Sequence, residues 1–265
     1  MIELESTKMT RLEEKISNLS ASNLYFARNF LGIINIVLFI ITPVAVYHST
    51  MPFQIKNILS WFVISIILLY NWFSKKIDKV LLNILVEKID LDKYEAYWKK
   101  HVDSKLGIKA FAFHALGVVS FFRGDFEESL KHFEQSLREK RQSKKVRRLL
   151  EDDREIFVVQ STIFLERDGG NDRIDFHEMM RTMSNKPYLK AMLDIIYYKQ
   201  PSLYLKNNKE EKKTKTGKLL YQYYKAENAV LLGNMEEAKA MFTTLSKENP
   251  QLFIVQEAKR KLAKM

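Results

Sequence analysis

Residues 167–178 read RDGGNDRIDFHE and contain the donor types of a calcium loop, with Ile174-Asp175-Phe176 and a final Glu178 in the order such a loop ends on. An EF-hand loop needs Asp at its start, an oxygen donor at its third place and Gly at its sixth. Counted back from Glu178, those places hold Arg167, Gly169 and Asp172, so the ligand set fails. The stretch is expected to be a turn between helices, with Asn171 or Asp172 capping the second. His48, His101, His114, His132 and His177 show no metal-ligand spacing such as H-E-x-x-H and are expected to be structural. The chain has no cysteine, which excludes disulfides, thiol nucleophiles and Cys-ligated metals. No Gly-rich phosphate loop and no G-x-S-x-G elbow occur. The expectation is a non-enzyme without a cofactor or metal.

The other chemically distinctive stretch is basic. Arg138, Lys140, Arg141, Lys144, Lys145, Arg147 and Arg148 fall within eleven positions. Two readings stand. The run is a solvated helix end, since cations suit a helix C-terminus, or it meets anionic lipid or an acidic partner segment.

The elements that would place these residues begin with two apolar runs, 30–47 and 58–73, neither holding a charged residue. A membrane-spanning helix needs roughly 17–25 residues. The first run meets that length. The second is slightly short and is helped by Trp61, Tyr70 and Trp72 at the interface and by Lys56 and Lys75 reaching outward. Pro43 is tolerated in such a helix. A transport path would need ionisable groups at mid-depth, and neither run supplies them. The connecting segment carries only Lys56, whereas Lys8, Arg11, Lys15 and Arg28 precede the pair and Lys75, Lys76 and Lys79 follow it. This asymmetry places both termini in the cytoplasm beneath a plasma membrane crossed twice.

The formal charge of +11 lies almost wholly beyond residue 74, beside the inner leaflet. Nucleic acid competes for such charge, but acids are interspersed and no nucleic-acid motif occurs, so none is expected to bind. Only 8 Gly and 5 Pro favour helices over a turn-rich β fold. The Lys-, Asn- and Ile-rich character and the lack of cysteine fit a bacterial source.

Residues 1–29 form an amphipathic tail. Ile2, Met9 and Ile16 recur every heptad, with Leu12, Leu19 and Phe26 at the complementary position and Lys8 and Glu13 spaced for an interhelical pair. The tail either lies on the membrane or the soluble domain, or makes a homo-oligomer. Residues 30–74 are the hairpin and 75–104 are juxtamembrane helices: Ile77, Val80, Leu81, Ile84 and Leu85 line one face of the first, and Tyr94, Trp98 and Val102 form a stripe on the second.

Residues 105–265 form the larger domain. In 110–137, apolar residues recur at helical spacing, Gly124 interrupts, and Asp125 with Glu128 can form a capping box. In 225–250, Gly233 interrupts and Asn234 with Glu237 can do the same. Helices are also expected at 146–166, at 172–183 in a unit that Pro187 ends, then at 188–199 and 251–263. The charged run within 202–216 should be an exposed loop or fraying helix end.

Both interrupted stretches resemble the tetratricopeptide repeat family, whose unit is about 34 residues of paired helices. Leu116-Gly117 matches its Leu-Gly pair, Phe113 its leading aromatic, Gly124-Asp125-Phe126-Glu127-Glu128 its turn, and Ser129, Phe133 and Ser136 its small, aromatic and small positions. In the second stretch Gly233-Asn234-Met235-Glu236-Glu237 is the turn, and Ala238, Phe242 and Pro250 fit. Ser120, Lys225-Ala226 and Leu245 depart from the pattern. The resemblance implies an all-α chain, a two-helix transmembrane hairpin followed by a repeat-like α-solenoid of helix pairs. It also implies a concave face that binds protein or peptide. The family's concave positions fall on Phe111, His114, Val118 and Phe121, and on Leu220, Tyr223, Glu227 and Val230. These either line an open groove or are buried as core. The terminal helix has a Lys/Arg face suited to capping a solenoid. The function expected is that of a membrane-anchored scaffold or adaptor. The alternative is a small integral subunit of a membrane complex, with the hairpin as its main contact.

Overall fold

The computed structural model describes residues 9–48, 50, 52–103, 108–139, 144–167, 186–207 and 214–265. Among these every regular element is a helix, as the sequence implies. Two apolar helices near the N-terminus are followed by a helical bundle. The chain divides into two compact units, Thr7–Tyr97 and Trp98–Met265. The division falls inside a helix.

In the first unit, α1 (Arg11–Ser17) begins at a capping box. The Thr10 hydroxyl accepts from the Glu13 amide, and the Glu13 carboxylate accepts from the Thr10 amide. The heptad pattern expected through 1–29 does not run on as one helix. α1 ends at Ser17, and the Ser20 hydroxyl accepts the Asn23 amide at the entry to α2 (Ala21–His48). Ile16 is buried, while Leu12, Leu19 and Phe26 are exposed. Ile2 and Lys8 of that pattern lie outside the described residues.

Pro52 caps α3 (Phe53–Asn83), which continues through a π-helical turn (Ile84–Lys88). The span and the amphipathic segment after it are therefore one helix. α2 and α3 are each long and apolar enough to cross a membrane, over Ala21–Thr42 and Phe53–Lys88. The first starts before the expected 30–47 and stops short of its end, and the second extends past the expected 58–73 on both sides, because a helix propagates through polar residues once nucleated. The two helices approach closely at Gly32, where an added Cβ would lie 3.2 Å from the Tyr70 hydroxyl. Ile33, Phe39, Ile40, Ile58, Phe62 and Leu68 face outward. The π turn closes on Ile89, a β-branched residue with φ of 55°. α4 (Leu91–Val102) then buries Leu91, Tyr94, Tyr97 and His101, a stripe shifted from the expected Tyr94, Trp98 and Val102.

In the second unit α5 (Lys109–Arg123) and α6 (Phe126–Arg138) form a hairpin, and α7 (Lys144–Arg167) packs on both. α8 (Pro187–Ile196) follows, then the short α9 (Leu203–Asn207). Pro187 opens α8, one residue before the expected start at 188, because proline lacks only an amide that the first turn leaves unpaired. The expected helix over 172–183 and the calcium-like stretch beyond Arg167 lie outside the described residues, as do 208–213 of the charged run. α10 (Lys215–Leu231) and α11 (Met235–Leu245) form a second hairpin, and α12 (Phe253–Leu262) packs on both of them and on α5.

The two hairpins share one turn. Asp125 and Asn234 make no capping box. The chain reverses instead through a Schellman closure. Asp125 N–H donates to Ser120 C=O and Gly124 N–H to Phe121 C=O; Asn234 N–H donates to Ala229 C=O and Gly233 N–H to Val230 C=O. That closure needs a left-handed residue, and Gly124 (φ 90°) and Gly233 (φ 79°) supply it. With the amides already bonded to the preceding helix, no side-chain cap is required. Behind the turns, Ser129, Phe133 and Ser136 are buried in α6, and Ala238, Phe242 and Leu245 in α11. The Ser129 hydroxyl donates to Gly117 C=O at 2.8 Å and the Ser136 hydroxyl to Ala110 C=O at 2.9 Å. A Cβ on Gly117 would lie 2.9 Å from the Phe133 ring, so glycine sets how closely these helices approach.

The two turn glycines should respond differently to alanine. At Gly233 nothing lies near an added Cβ, so only the left-handed backbone is strained, at about 1–2 kcal/mol. At Gly124 the same strain is joined by Phe253 Cβ at 2.9 Å, and relieving such overpacking adds about 1–3 kcal/mol. Gly124→Ala should therefore lower the urea midpoint of the detergent-solubilised chain clearly more than Gly233→Ala. Equal losses would show that Phe253 can move aside.

Candidate functional site

The face expected to line a peptide groove is filled from within. Phe121 and Tyr223 are fully buried, Val118, Leu220 and Glu227 are buried, and Phe111, His114 and Val230 are half-buried. The filler is α12. Its Phe253 ring lies 5.5 Å from Phe121, 5.2 Å from Phe126, 4.9 Å from Phe164 and 6.2 Å from Tyr223. Edge-to-face aromatic packing at these distances adds to plain area burial. Of the two readings left open by the sequence, core is the one the structure shows for Phe121 and Tyr223. The terminal helix also does more than cap the last pair, because Leu252, Phe253, Ile254, Val255 and Ala258 are all buried.

The charged groups here are paired off by the same helix. Glu227 accepts from Lys261 at 2.8 Å, and Glu257 from Arg167 at 3.3 Å. The Arg167 guanidinium also lies 5.0 Å from the Phe164 ring centre, a cation–π contact. Burial pushes the Tyr223 hydroxyl well above its ordinary pKa, and the Glu227 and Glu257 carboxylates add to the rise. Tyr223 therefore stays protonated and serves as packing. Other buried polar groups join helices: Tyr224 donates to Gln160 at 3.0 Å, and the Asn228 amide holds both the N–H and C=O of Ser202. The Ser161 hydroxyl bonds Ser129 at 3.3 Å. These bonds satisfy polar groups that burial would otherwise penalise.

The basic run is described only in part. Arg138 ends α6 and pairs with Glu134 at 2.6 Å, one turn earlier. Lys140 and Arg141 lie outside the described residues, and Lys144, Lys145, Arg147 and Arg148 fall in α7 with their side chains outside the description. No group of metal-binding side chains occurs among the described residues.

One cluster escaped the sequence reading. In the first unit, Glu13 is closed to solvent and both its oxygens are bonded, by Lys76 at 2.7 Å and Lys79 at 3.1 Å. Burial alone would raise this carboxyl. The bonds from Lys76, the Thr10 amide and Lys79 outweigh it and hold the pKa at about 2, against an ordinary 4.5. At the other end of α1, Lys88 donates to the Ser17 hydroxyl at 2.8 Å and Lys93 to the Ser17 carbonyl at 2.6 Å. Nearby, Arg28 reaches Asp78 at 2.6 Å and Tyr97 at 3.1 Å. The T-x-x-E capping signal at Thr10 and the three-residue spacing of Lys76 and Lys79 were both legible. What was not legible is that they meet.

His114 is the one groove position whose titration has a consequence. It stands edge-on to Phe133 at 5.3 Å, and its Nδ1 has no hydrogen-bond partner. Burial, joined by the Arg154 cation, lowers its pKa from 6.5 to about 4. The unfolded chain thus binds this proton more readily than the folded one. The histidine costs nothing above about pH 6.5, and stability falls as pH drops from there towards about 4. His114→Gln should flatten the decline of the urea midpoint between pH 7 and pH 5. An unchanged decline would assign the acid sensitivity elsewhere.

Comparison of the chain with protein-family models, with curated proteins and with solved structures finds no match, so the reading rests on its own residues.

Proposed function

We propose that the chain is a membrane-anchored helical-repeat protein. Its larger unit binds another protein or peptide at the cytoplasmic face, as a scaffold and not as a catalyst. The anchor is supported by α2 and α3, whose apolar side chains face outward with no protein to cover them among the described residues. Burying such faces in hydrocarbon removes a penalty that water would impose. The cytoplasmic placing of both termini follows from the Lys/Arg asymmetry across the hairpin. The repeat reading is supported by two hairpins with the same turn and the same buried positions on their second helices. The observation that carries the proposal is their joint presence in one chain: outward-apolar helices, then helix pairs of common construction.

Phe121 and Tyr223 cannot meet a partner without opening the core. Binding therefore falls to the outer faces, including that of α11, where Glu236, Glu237, Lys239 and Thr243 are exposed. For the same reason Phe121→Ala cannot test binding, because a cavity at a buried aromatic costs about 3–5 kcal/mol of stability.

The test uses the full chain in its own membrane. It should remain in the pellet after alkaline carbonate extraction, and a reporter fused after Met265 should be active in the cytoplasm. Proximity labelling from that fusion should mark a partner that is kept when residues 30–74 are replaced by an unrelated hairpin. Release by carbonate would end the anchor reading. Loss of the partner on the swap would favour the integral-subunit alternative.

A further inference from the structure

α1 has seven residues, and an isolated helix that short is not stable in water. Its contacts must hold it. Lys76 and Lys79 of α3 close on Glu13, while Lys88 of the π turn and Lys93 of α4 close on Ser17. Four ammonium groups from three successive elements thus end on one short helix. Lys88 and Lys93 also flank Ile89, whose left-handed backbone is disfavoured for a β-branched residue. Ser17 therefore braces both sides of a strained turn.

We propose that the face formed by Lys76, Lys79, Lys88 and Lys93 recognises the phosphate of anionic lipid headgroups, and that α1 is an intramolecular strap holding that face until lipid displaces it. The proposal rests on the membrane reading above. Three observations support it. The first is position: Lys76 lies one turn beyond Trp72 on α3, its Nζ 5.8 Å from the indole ring centre. Trp and Lys together mark the headgroup level of a spanning helix. The second is charge: Glu13 brings one negative charge to four positive ones and Asp90 a second beside Lys93, so the face is still electropositive when strapped. An anionic leaflet can supply a phosphate to each lysine. The third concerns release. Glu13 stays ionised across the physiological range, because its bonds hold it at about 2. A proton cannot undo the strap there, but a competing anion can. A ligand shifts such an equilibrium only by binding one state better, and with α1 in place each lysine spends a donor on Glu13 or Ser17 that phosphate gains only when α1 has left.

The strap carries its own reporter, since Arg11 and Lys15 within α1 are trypsin sites. The full chain is reconstituted in phosphatidylcholine vesicles, with and without phosphatidylglycerol, and cleavage at these two sites is followed on outward-facing molecules. Wild type should be cut slowly in the neutral vesicles and roughly tenfold faster in the anionic ones, the shift that a few lysines at a charged leaflet can produce. Glu13→Gln should be cut fast in both. This also controls for protease adsorbed to charged vesicles. The double variant K76Q/K79Q should likewise be cut fast in both. Inorganic phosphate added to neutral vesicles should leave wild type protected. Equal wild-type rates in the two lipids would overturn the strap, as would slow cleavage of both variants or release by inorganic phosphate alone. Protein that carbonate strips from the vesicles would overturn the membrane reading and the strap together. An inserted protein with lipid-independent cleavage would overturn the strap alone.

Discussion

The seat of Phe253 against the Gly124 turn is the contact on which the Trp98–Met265 unit depends. The ring touches residues from α5, α6, α7 and α10, and its Cβ takes the space that a side chain on residue 124 would fill. Glycine is thus required there twice, for the left-handed backbone and for the close approach. Through this one side chain the first hairpin, the long helix after it and the second hairpin share a core. A solenoid normally joins each pair only to its neighbours. Here the last helix reaches back to the first hairpin and closes the unit.

That closure explains why repeat-like sequence and an open groove part company. The matched positions on the second helices report how each pair packs internally: Ser129, Phe133, Ala238 and Phe242 are all buried. The positions on the first helices report what lies across the concave side, and a repeat pattern is silent on that. Phe111, His114, Val118 and Phe121 are as suitable for a peptide as for a core. Only the arrival of Phe253 and Lys261 from far along the chain decides between them.

The helices themselves were legible because their signals are local. Charge-free runs marked α2 and α3, apolar spacing marked α5 to α7, and the glycines marked the two reversals. The errors have local physics too. Asp125 and Asn234 suggested capping boxes, but a Schellman closure had already bonded their amides backwards. The tail pattern over residues 1–29 suggested one helix, but Ser20 begins a second by capping it. The Glu13 clamp could not be read at all, since its partners stand more than sixty positions away.

Buried carboxylates show what the non-local part of the sequence is for. Glu13 and Glu227 leave water and Glu257 does so in part, and each meets a cation on another element: Lys76 and Lys79, Lys261, and Arg167. Desolvation takes back much of the gain from such pairs, so replacing a whole pair by apolar groups can be neutral, whereas removing one member is costly. Their contribution is therefore better sought in register than in stability. Lys76 and Lys79 sit three residues apart on one helical face and converge on one carboxylate, which fixes the rotation of α1 on α3. Lys261 and Glu257, four apart on α12, engage α10 and α7, which fixes where Phe253 enters the core. An apolar contact alone tolerates sliding along a helix. A carboxylate bonded to a cation at a set position does not.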